Sequence, residues 1–302
     1  MNRMLVITNS AAGSADDDAV RDAVDVLGEG GDVVTRSTKD RTELVDVLRD
    51  RDDRDVVVVG GDGSLHAAIS VLYELEDLTG PTLGLVPLGT GNDFARTLGL
   101  PEDPPEAARI VVEGVARPLD LVVDDRGDVV VNAVHLGIGV DAGHESGRWK
   151  ARLGKLGYLV GAAIAGLRSD GIRVRVTADD VVLADGHTRV LQVAVANGVY
   201  IGAGTPIAPD AQPDDGLADV IVSFAVSALP RLVYGLLLRF GRHPADQRVT
   251  TTRASQVTVA GGPFGTNTDG ELGDPVRRRT WQVHPGAYRL MLPAGFPGSP
   301  ET

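Results

Sequence analysis

The 302-residue sequence contains no cysteine. Disulfides, thiolate nucleophiles and cysteine-based metal sites are therefore excluded. Lysine is nearly absent: the 29 basic residues are 26 Arg and only Lys39, Lys150 and Lys155. Positive charge as a whole is in deficit. With 42 acidic residues the formal net charge is -13, which excludes a whole-protein basic footprint and any expectation of a nucleic-acid partner. The six histidines show neither H-x-x-H nor H-E-x-x-H spacing, so no zinc site is expected. Long apolar runs are missing too. The two most apolar stretches, Tyr158–Leu167 and Leu229–Leu238, fall well short of the ~20 residues that span a bilayer. The opening MNRMLVITNS reads as a strand and not as a signal-peptide h-region, so the expected location is cytoplasmic.

What is present supports a folded chain. The chain is 43% apolar and 24% charged, enough to bury a core, and its length suits one large domain or two ordinary ones. The acidic residues are 32 Asp against 10 Glu. A Lys-poor, Asp-rich surface resembles proteins of high-salt cytoplasms, where concentrated salt screens carboxylate repulsion. An acidic protein from a GC-rich mesophile would share the Arg-over-Lys bias.

The first third alternates strand and helix patterns. Arg3–Thr8, Asp32–Thr38, Asp55–Val59 and Thr82–Pro87 read as strands, with helices over Asp16–Leu27, Thr42–Arg49 and Ser64–Leu75. DVVVV at 55–59 is the continuous apolar type buried on both faces of a parallel sheet. Alternation of this kind predicts right-handed βαβ crossovers in an open α/β sheet. Near Pro118 the pattern changes to many short strands. Helical spacing returns only near Trp149–Arg168 and Leu229–Phe240. Thr280–His284 and Ala287–Leu292 are the last predicted strands. The boundaries read as 1–118 for an α/β domain, 119–294 for a mostly antiparallel β domain, and 295–302 for a Pro/Gly/Ser tail that frays or returns to the first domain.

Two glycine turns carry the chemistry. Gly60-Gly61-Asp62-Gly63-Ser64 joins the apolar strand to a helix, where open α/β sheets bind ligands. The glycines let a ligand approach the backbone N–H groups, and Ser64 is placed to cap the helix. The turn matches neither a Walker A loop nor a dinucleotide fingerprint. Asp62 amid phosphate-type donors calls for a metal between the two charges. Pro87-Leu88-Gly89-Thr90-Gly91-Asn92-Asp93-Phe94-Ala95-Arg96 supplies a second such turn after the next strand.

GGDGS together with PLGTGNDFAR resembles the diacylglycerol kinase-like lipid kinases, which include sphingosine kinases and YegS-like enzymes. NAVHLGIG from Asn132, VANG around Asn197, APDAQPDDGL ending at Leu217, and Thr268-Asp269-Gly270-Glu271 match later family segments in order. Ser64 replaces the usual Thr, His66-Ala67 replaces Asn-Glu, and Asn9-Ser10-Ala11-Ala12-Gly13 lacks the usual Pro. The resemblance implies a Rossmann-like α/β domain of the NAD kinase/diacylglycerol kinase type followed by a β-sandwich-like domain. Together with the composition it points to a haloarchaeal source.

The resemblance also implies roles. ATP would be bound by Asn9, Thr38, Gly60, Gly61, Asp62, Gly63, Ser64, Leu65 and His66, with Gly89, Thr90 and Asn92 from the second turn. Asp62 and Asp93 would organise catalytic Mg²⁺. Glu271 would be the general base, supported by Asp269. Asp215 by its side chain, with Gln212 and Leu217 by their backbones, would hold a structural Mg²⁺. Arg96 is a further candidate for the nucleotide phosphates. The reaction implied is transfer of the ATP γ-phosphoryl group to the hydroxyl of a diacylglycerol-like or ether glycerolipid, with peripheral contact at the inner membrane face and a homodimer as candidate associations. Two other readings stay open: a kinase of a soluble substrate such as NAD(H), and a nucleotide-binding regulator without turnover. Taken without the resemblance, Asp269-Gly270 is an ordinary hairpin turn, QPDDGLAD a solvated Asp-rich loop, and Arg277-Arg278-Arg279 a solvated turn.

Overall fold

The computed structural model describes residues 1–9, 14–137 and 170–296. Two compact units emerge: Met1–Leu121 with the residues from His284 onward, and Val122–Val283. The sequence-based boundaries place the first division at 118 and keep residues up to 294 in the second domain.

The first unit begins with β1 (Arg3–Asn9), α1 (Ser14–Gly30), β2 (Asp32–Thr38) and α2 (Arg41–Arg49). β3 (Asp55–Gly60), α3 (Asp62–Glu74), β4 (Thr82–Pro87), α4 (Asp93–Thr97), α5 (Pro104–Glu113) and β5 (Val115–Asp124) follow. The parallel strands lie in the order β2-β1-β3-β4. After its first residue, every position of β3 and of β4 is buried, as a sheet covered on both faces requires. Ala23 and Leu27 of α1 pack with Met4, Val6, Val57 and Val59 beneath them. α2 starts at a reciprocal cap: the Glu43 N–H donates to Asp40 Oδ1 at 3.0 Å, and Glu43 Oε2 accepts from the Lys39 N–H at 2.9 Å.

The sequence reading overlooks α5. Its start was legible: Asp103 accepts from the Glu106 N–H at 3.1 Å, and Pro104 and Pro105 open the first turn.

The second unit is built from β6 (Val129–Val130), β7 (Ala133–Gly137), β8 (Val174–Ala178), β9 (Val181–Asp185), β10 (Gln192–Ala196), β11 (Tyr200–Ile201) and β12 (Thr205–Pro206). It continues with β13 (Ala218–Ser223), α6 (Ala228–Arg239), β14 (Val249–Ala254), β15 (Gln256–Thr268) and β16 (Glu271–Leu292). Antiparallel pairing runs β14-β13-β10-β7-β15, and β15 also pairs with β16 and β8. β10 shows why the middle of this sheet is apolar throughout. Val193 and Val195 enter one core with Trp281 and Phe264, while Ala194 and Ala196 enter another with Ile207 and Tyr234. Strand side chains alternate, so both faces of β10 are covered.

Several sequence expectations need correction here. Thr280–His284 and Ala287–Leu292 belong to one 22-residue strand, β16. Pro285-Gly286 reads as a break, but Gly286 takes φ +58 and its N–H donates to Asp120 Oδ1 at 2.8 Å, so the kink is absorbed and pairing resumes. Arg289 and Leu290 then pair in parallel with Thr82 and Leu83 of β4, adding a strand to the first unit's sheet. The Arg277–Arg279 run lies within β16, not in a turn. Arg279 is buried, bonded to Asp124 and within 3.7 Å of Asp125 and 3.6 Å of Asp128. The helical pattern at Trp149–Arg168 lies outside the described residues.

Candidate active site

Parallel register collects the first set of candidate residues. Asn9 pairs with Thr38, Thr8 with Val59, and Gly60 with Pro87. Asn9, Thr38 and both glycine turns therefore end four adjacent strands on the same carboxyl edge, the ligand-binding edge of an open α/β sheet. Thr38 is buried there and Thr90 is exposed.

The two turns touch through their glycines. A Cβ on Gly61 would lie 2.9 Å from Gly89 Cα, and one on Gly89 would lie 2.6 Å from Gly61 Cα. The Leu88 N–H donates to Gly60 O at 3.1 Å, and the Gly89 N–H donates to Asn92 Oδ1 at 2.9 Å. Asn92 is buried in the left-handed region at φ 48, a conformation Asn tolerates better than most residues. Ser64 is not the cap. Gly61 occupies that position without a side-chain bond, and Ser64 lies inside the first turn of α3 with its N–H donating to Gly61 O. Leu65 is wholly buried, so only its backbone faces the turn, and that N–H also donates to Gly61 O, at 3.2 Å. Gly63 differs from its neighbours: a Cβ there meets no heavy atom within 4 Å. Gly89→Ala is expected to destabilise the protein by roughly 1–3 kcal/mol, because the new Cβ meets the Gly61 backbone and also lies 2.7 Å from Asn92 Oδ1, which the Gly89 N–H holds in place. Gly63→Ala leaves the melting temperature unchanged. Thermal melts of the two variants side by side check this; equal melting temperatures would refute it.

Asp62 locks the two turns together. Its Oδ2 accepts from the Asp93 N–H at 2.9 Å and its Oδ1 from the Phe94 N–H at 3.1 Å, satisfying the start of α4. Asp62 Oδ2 and Asp93 Oδ2 converge beside Gly91, at 3.3 and 3.6 Å from its Cβ position. Among the described residues no group of three His, Asp or Glu side chains is set to hold a metal. Two convergent carboxylates nevertheless suit Mg²⁺, which keeps several waters and takes its remaining ligands from phosphates. Arg96 is committed elsewhere. Its guanidinium donates to Gly91 O at 3.2 Å, to Asp93 Oδ1 at 3.2 Å and to Glu102 Oε1 at 2.9 Å.

The second unit carries the Asp269 hairpin. Asp269 (φ 49) and Gly270 (φ 97) are the central residues of a two-residue turn between Thr268 and Glu271, both with positive φ as a type I′ turn requires. The Asp269 carboxylate accepts three backbone N–H bonds, from Val131 at 2.7 Å, Asn132 at 3.0 Å and Ala133 at 2.8 Å. Its own N–H donates to Ala133 O at 3.0 Å. These bonds make the carboxylate a clamp between the hairpin and residues 131–133. Glu271, by contrast, is exposed at the first residue of β16.

Sequence reasoning missed the groups behind this turn. Val131 and Asn132 are over 130 residues away in the chain, so no local pattern announces their pairing with Asp269. His135 and Asn267 face each other across β7 and β15, both buried. Burial pushes the His135 pKa down to about 4, partly opposed by the Asp269 charge and a bond to Asn267, so the imidazole is neutral at pH 7.

The Asp-rich loop is partly buried. Asp215 Oδ1 accepts from the Leu217 N–H at 3.0 Å, and its other oxygen meets the Arg253 guanidinium, whose Nε is 3.9 Å from Asp219 Oδ2. Burial, and then the Asp210 charge, push the Asp219 pKa up to about 6. Crowded carboxylates are a donor type that suits a hard cation. Gln212 is exposed in the same loop, and Arg253 supplies positive charge to Asp215 and Asp219.

Comparison with known proteins identifies the family and the fold. Residues 3–123 match the diacylglycerol kinase catalytic domain, and residues 132–292 match the YegS C-terminal NAD kinase beta sandwich-like domain. The chain is 32% identical to a YegS-like probable lipid kinase of Stenotrophomonas maltophilia, over 97% of this chain and 96% of that protein. It is 30% identical to a diacylglycerol kinase of Bacillus subtilis, over 72% of this chain and 71% of that one. A solved structure of a candidate diacylglycerol kinase from Bacillus anthracis superposes with a TM-score of 0.80 at 25% identity, covering 98% of this chain and 99% of that chain. Two domain models matched in order along one chain, and a relative covered almost end to end, place the chain in the YegS-like lipid kinase family.

Proposed function

We propose that the protein transfers the γ-phosphoryl group of ATP to the hydroxyl of a diacylglycerol-like or ether-linked glycerolipid. The observation that carries this reading is the pair of glycine turns locked by Asp62 at the carboxyl edge of the first sheet. Backbone N–H groups there suit a polyanion, and the acidic chain has no lysine in either turn to do the same work. Mg²⁺, when bound by Asp62 and Asp93, neutralises charge on the phosphates. Glu271 takes the proton of the lipid hydroxyl; the lipid oxygen bonds to the γ-phosphorus as the bond to the bridging oxygen breaks, and ADP leaves. Asp269 positions Glu271 by fixing the hairpin. The Asp215 loop, with the Gln212 and Leu217 carbonyls, is the proposed seat of a second, structural cation.

Purified protein with ATP, Mg²⁺ and a panel of lipid alcohols is expected to yield phosphorylated lipid, detected by mass spectrometry. The absence of any lipid product at both low and high KCl would overturn the reading. Phosphorylated NAD in its place would establish the soluble-substrate alternative. ATP binding with no transfer to any acceptor would establish a regulator.

A further inference from the structure

α6 has apolar residues on the wrong side for a helix that only packs on its own sheet. Its inner face is firmly seated. Tyr234 is buried, its hydroxyl donates to Gln192 Oε1 at 2.9 Å, and its ring meets His243 edge-on with centroids 5.8 Å apart. Leu238 packs against the same core. The outer face carries a second stripe. Leu229 is 72% exposed, Leu232 63%, Leu236 63% and Phe240 67%, with Val233 between them. At 3.6 residues per turn these five positions fall within roughly 100° of the helix circumference. A contiguous exposed apolar stripe on a rigid helix marks an interaction surface.

The charge around the stripe indicates its partner. The chain carries 42 acidic residues, yet there is none between Asp219 and Asp246. The only full charges in that span are Arg231, Arg239 and Arg242, of which Arg239 and Arg242 are exposed. Apolar side chains with flanking arginines and no carboxylate form the pattern of a helix lying in a bilayer interface. Among the described residues no helix is long and apolar enough to cross a membrane. We propose that the outer face of α6 docks the protein on an anionic bilayer surface, with Leu229, Leu232, Leu236 and Phe240 in the acyl boundary and Arg239 and Arg242 at the headgroups. The net charge of -13 does not oppose this at physiological salt, where the Debye length is ~8 Å and only charges near the contact are felt. The inference deepens the lipid-kinase reading, whose acceptor is held in a bilayer.

Co-sedimentation without ATP, using vesicles of phosphatidylcholine and phosphatidylglycerol at 7:3, tests docking apart from catalysis. The native protein is expected to bind. Leu232→Asp with Leu236→Asp lowers partitioning at least tenfold, and Leu236→Ser alone does so by a smaller factor with an unchanged melting temperature. Arg239→Glu lowers it about fivefold on these vesicles and little on pure phosphatidylcholine. Native protein that stays in the supernatant, or leucine variants that sediment like the native protein, would overturn the proposal. So would a native dimer that Leu236→Ser converts to monomer, because the stripe would then belong to a second copy. Transfer to detergent-dispersed lipid alcohol separates the two readings. Docking that fails beside intact transfer sinks only the surface, and α6-dependent binding with no transfer sinks only the kinase reading.

Discussion

Glu271→Gln is expected to lower the turnover of lipid phosphorylation by about 10²–10⁴-fold, the range a general base contributes. The substitution keeps the size and the hairpin but removes the carboxylate proposed to receive the proton. Glu271 is the first residue of β16, paired with Thr268, and its side chain is exposed, so it lies within reach of solvent and of a substrate. The neighbouring carboxylate, Asp269, is engaged by three backbone N–H groups. Nucleotide affinity is expected to stay within about twofold of native, since the proposed phosphate donors lie in the Gly60 and Gly89 turns. Calorimetric titration with ATP and a radiolabelled transfer assay, run on the same preparation, give both numbers. Turnover within twofold of native would remove Glu271 from the mechanism.

The second large effect is on stability. Asp269→Ala is expected to destabilise the second unit by about 3 kcal/mol or more. Bonds from N–H groups to a charged acceptor contribute about 1.5–3 kcal/mol each before solvent makes up part of the loss, and three are removed at once. The residue also sits at φ 49, where a Cβ without a polar side chain is disfavoured. Asp269→Asn separates the two contributions. Asn accepts the left-handed backbone and retains one acceptor oxygen, so its loss of stability is expected to be less than half that of the alanine variant. Urea unfolding of the three proteins, followed by near-ultraviolet circular dichroism, measures the difference. Equal stability of the alanine variant and the native protein would show that the clamp carries no weight.

The first unit was largely legible because its signals are local. A run such as Val56–Val59 announces a buried strand, and the two glycine turns follow directly from strands whose ends are set by Gly60 and Pro87. Parallel register then brings Asn9, Thr38 and both turns to one edge without further information. What escaped depends on contacts far apart in the chain. Asp62 looked like a metal ligand alone, and its two bonds to α4 appear only once the turns are folded together. Arg96 looked available and is held by Gly91, Asp93 and Glu102. Asp269 reads locally as an Asp-Gly turn, which is correct for the backbone and silent about Val131 and Asn132. β16 was divided because Pro285-Gly286 normally ends a strand, and here Asp120 provides the partner that lets it continue.

The pairing of Arg289 and Leu290 with β4 has a consequence for synthesis. On the ribosome, β4 is made about 200 residues before the strand that covers its outer edge. At roughly 5–20 residues per second, that edge waits about 10–40 s with its N–H and C=O groups open to any extended chain nearby. Leu83, Leu85 and Val86 make it an adhesive one. The nascent chain thus passes through an interval in which the β2-β1-β3-β4 sheet is formed but its β4 edge is unsealed, until Arg289 and Leu290 have left the exit tunnel.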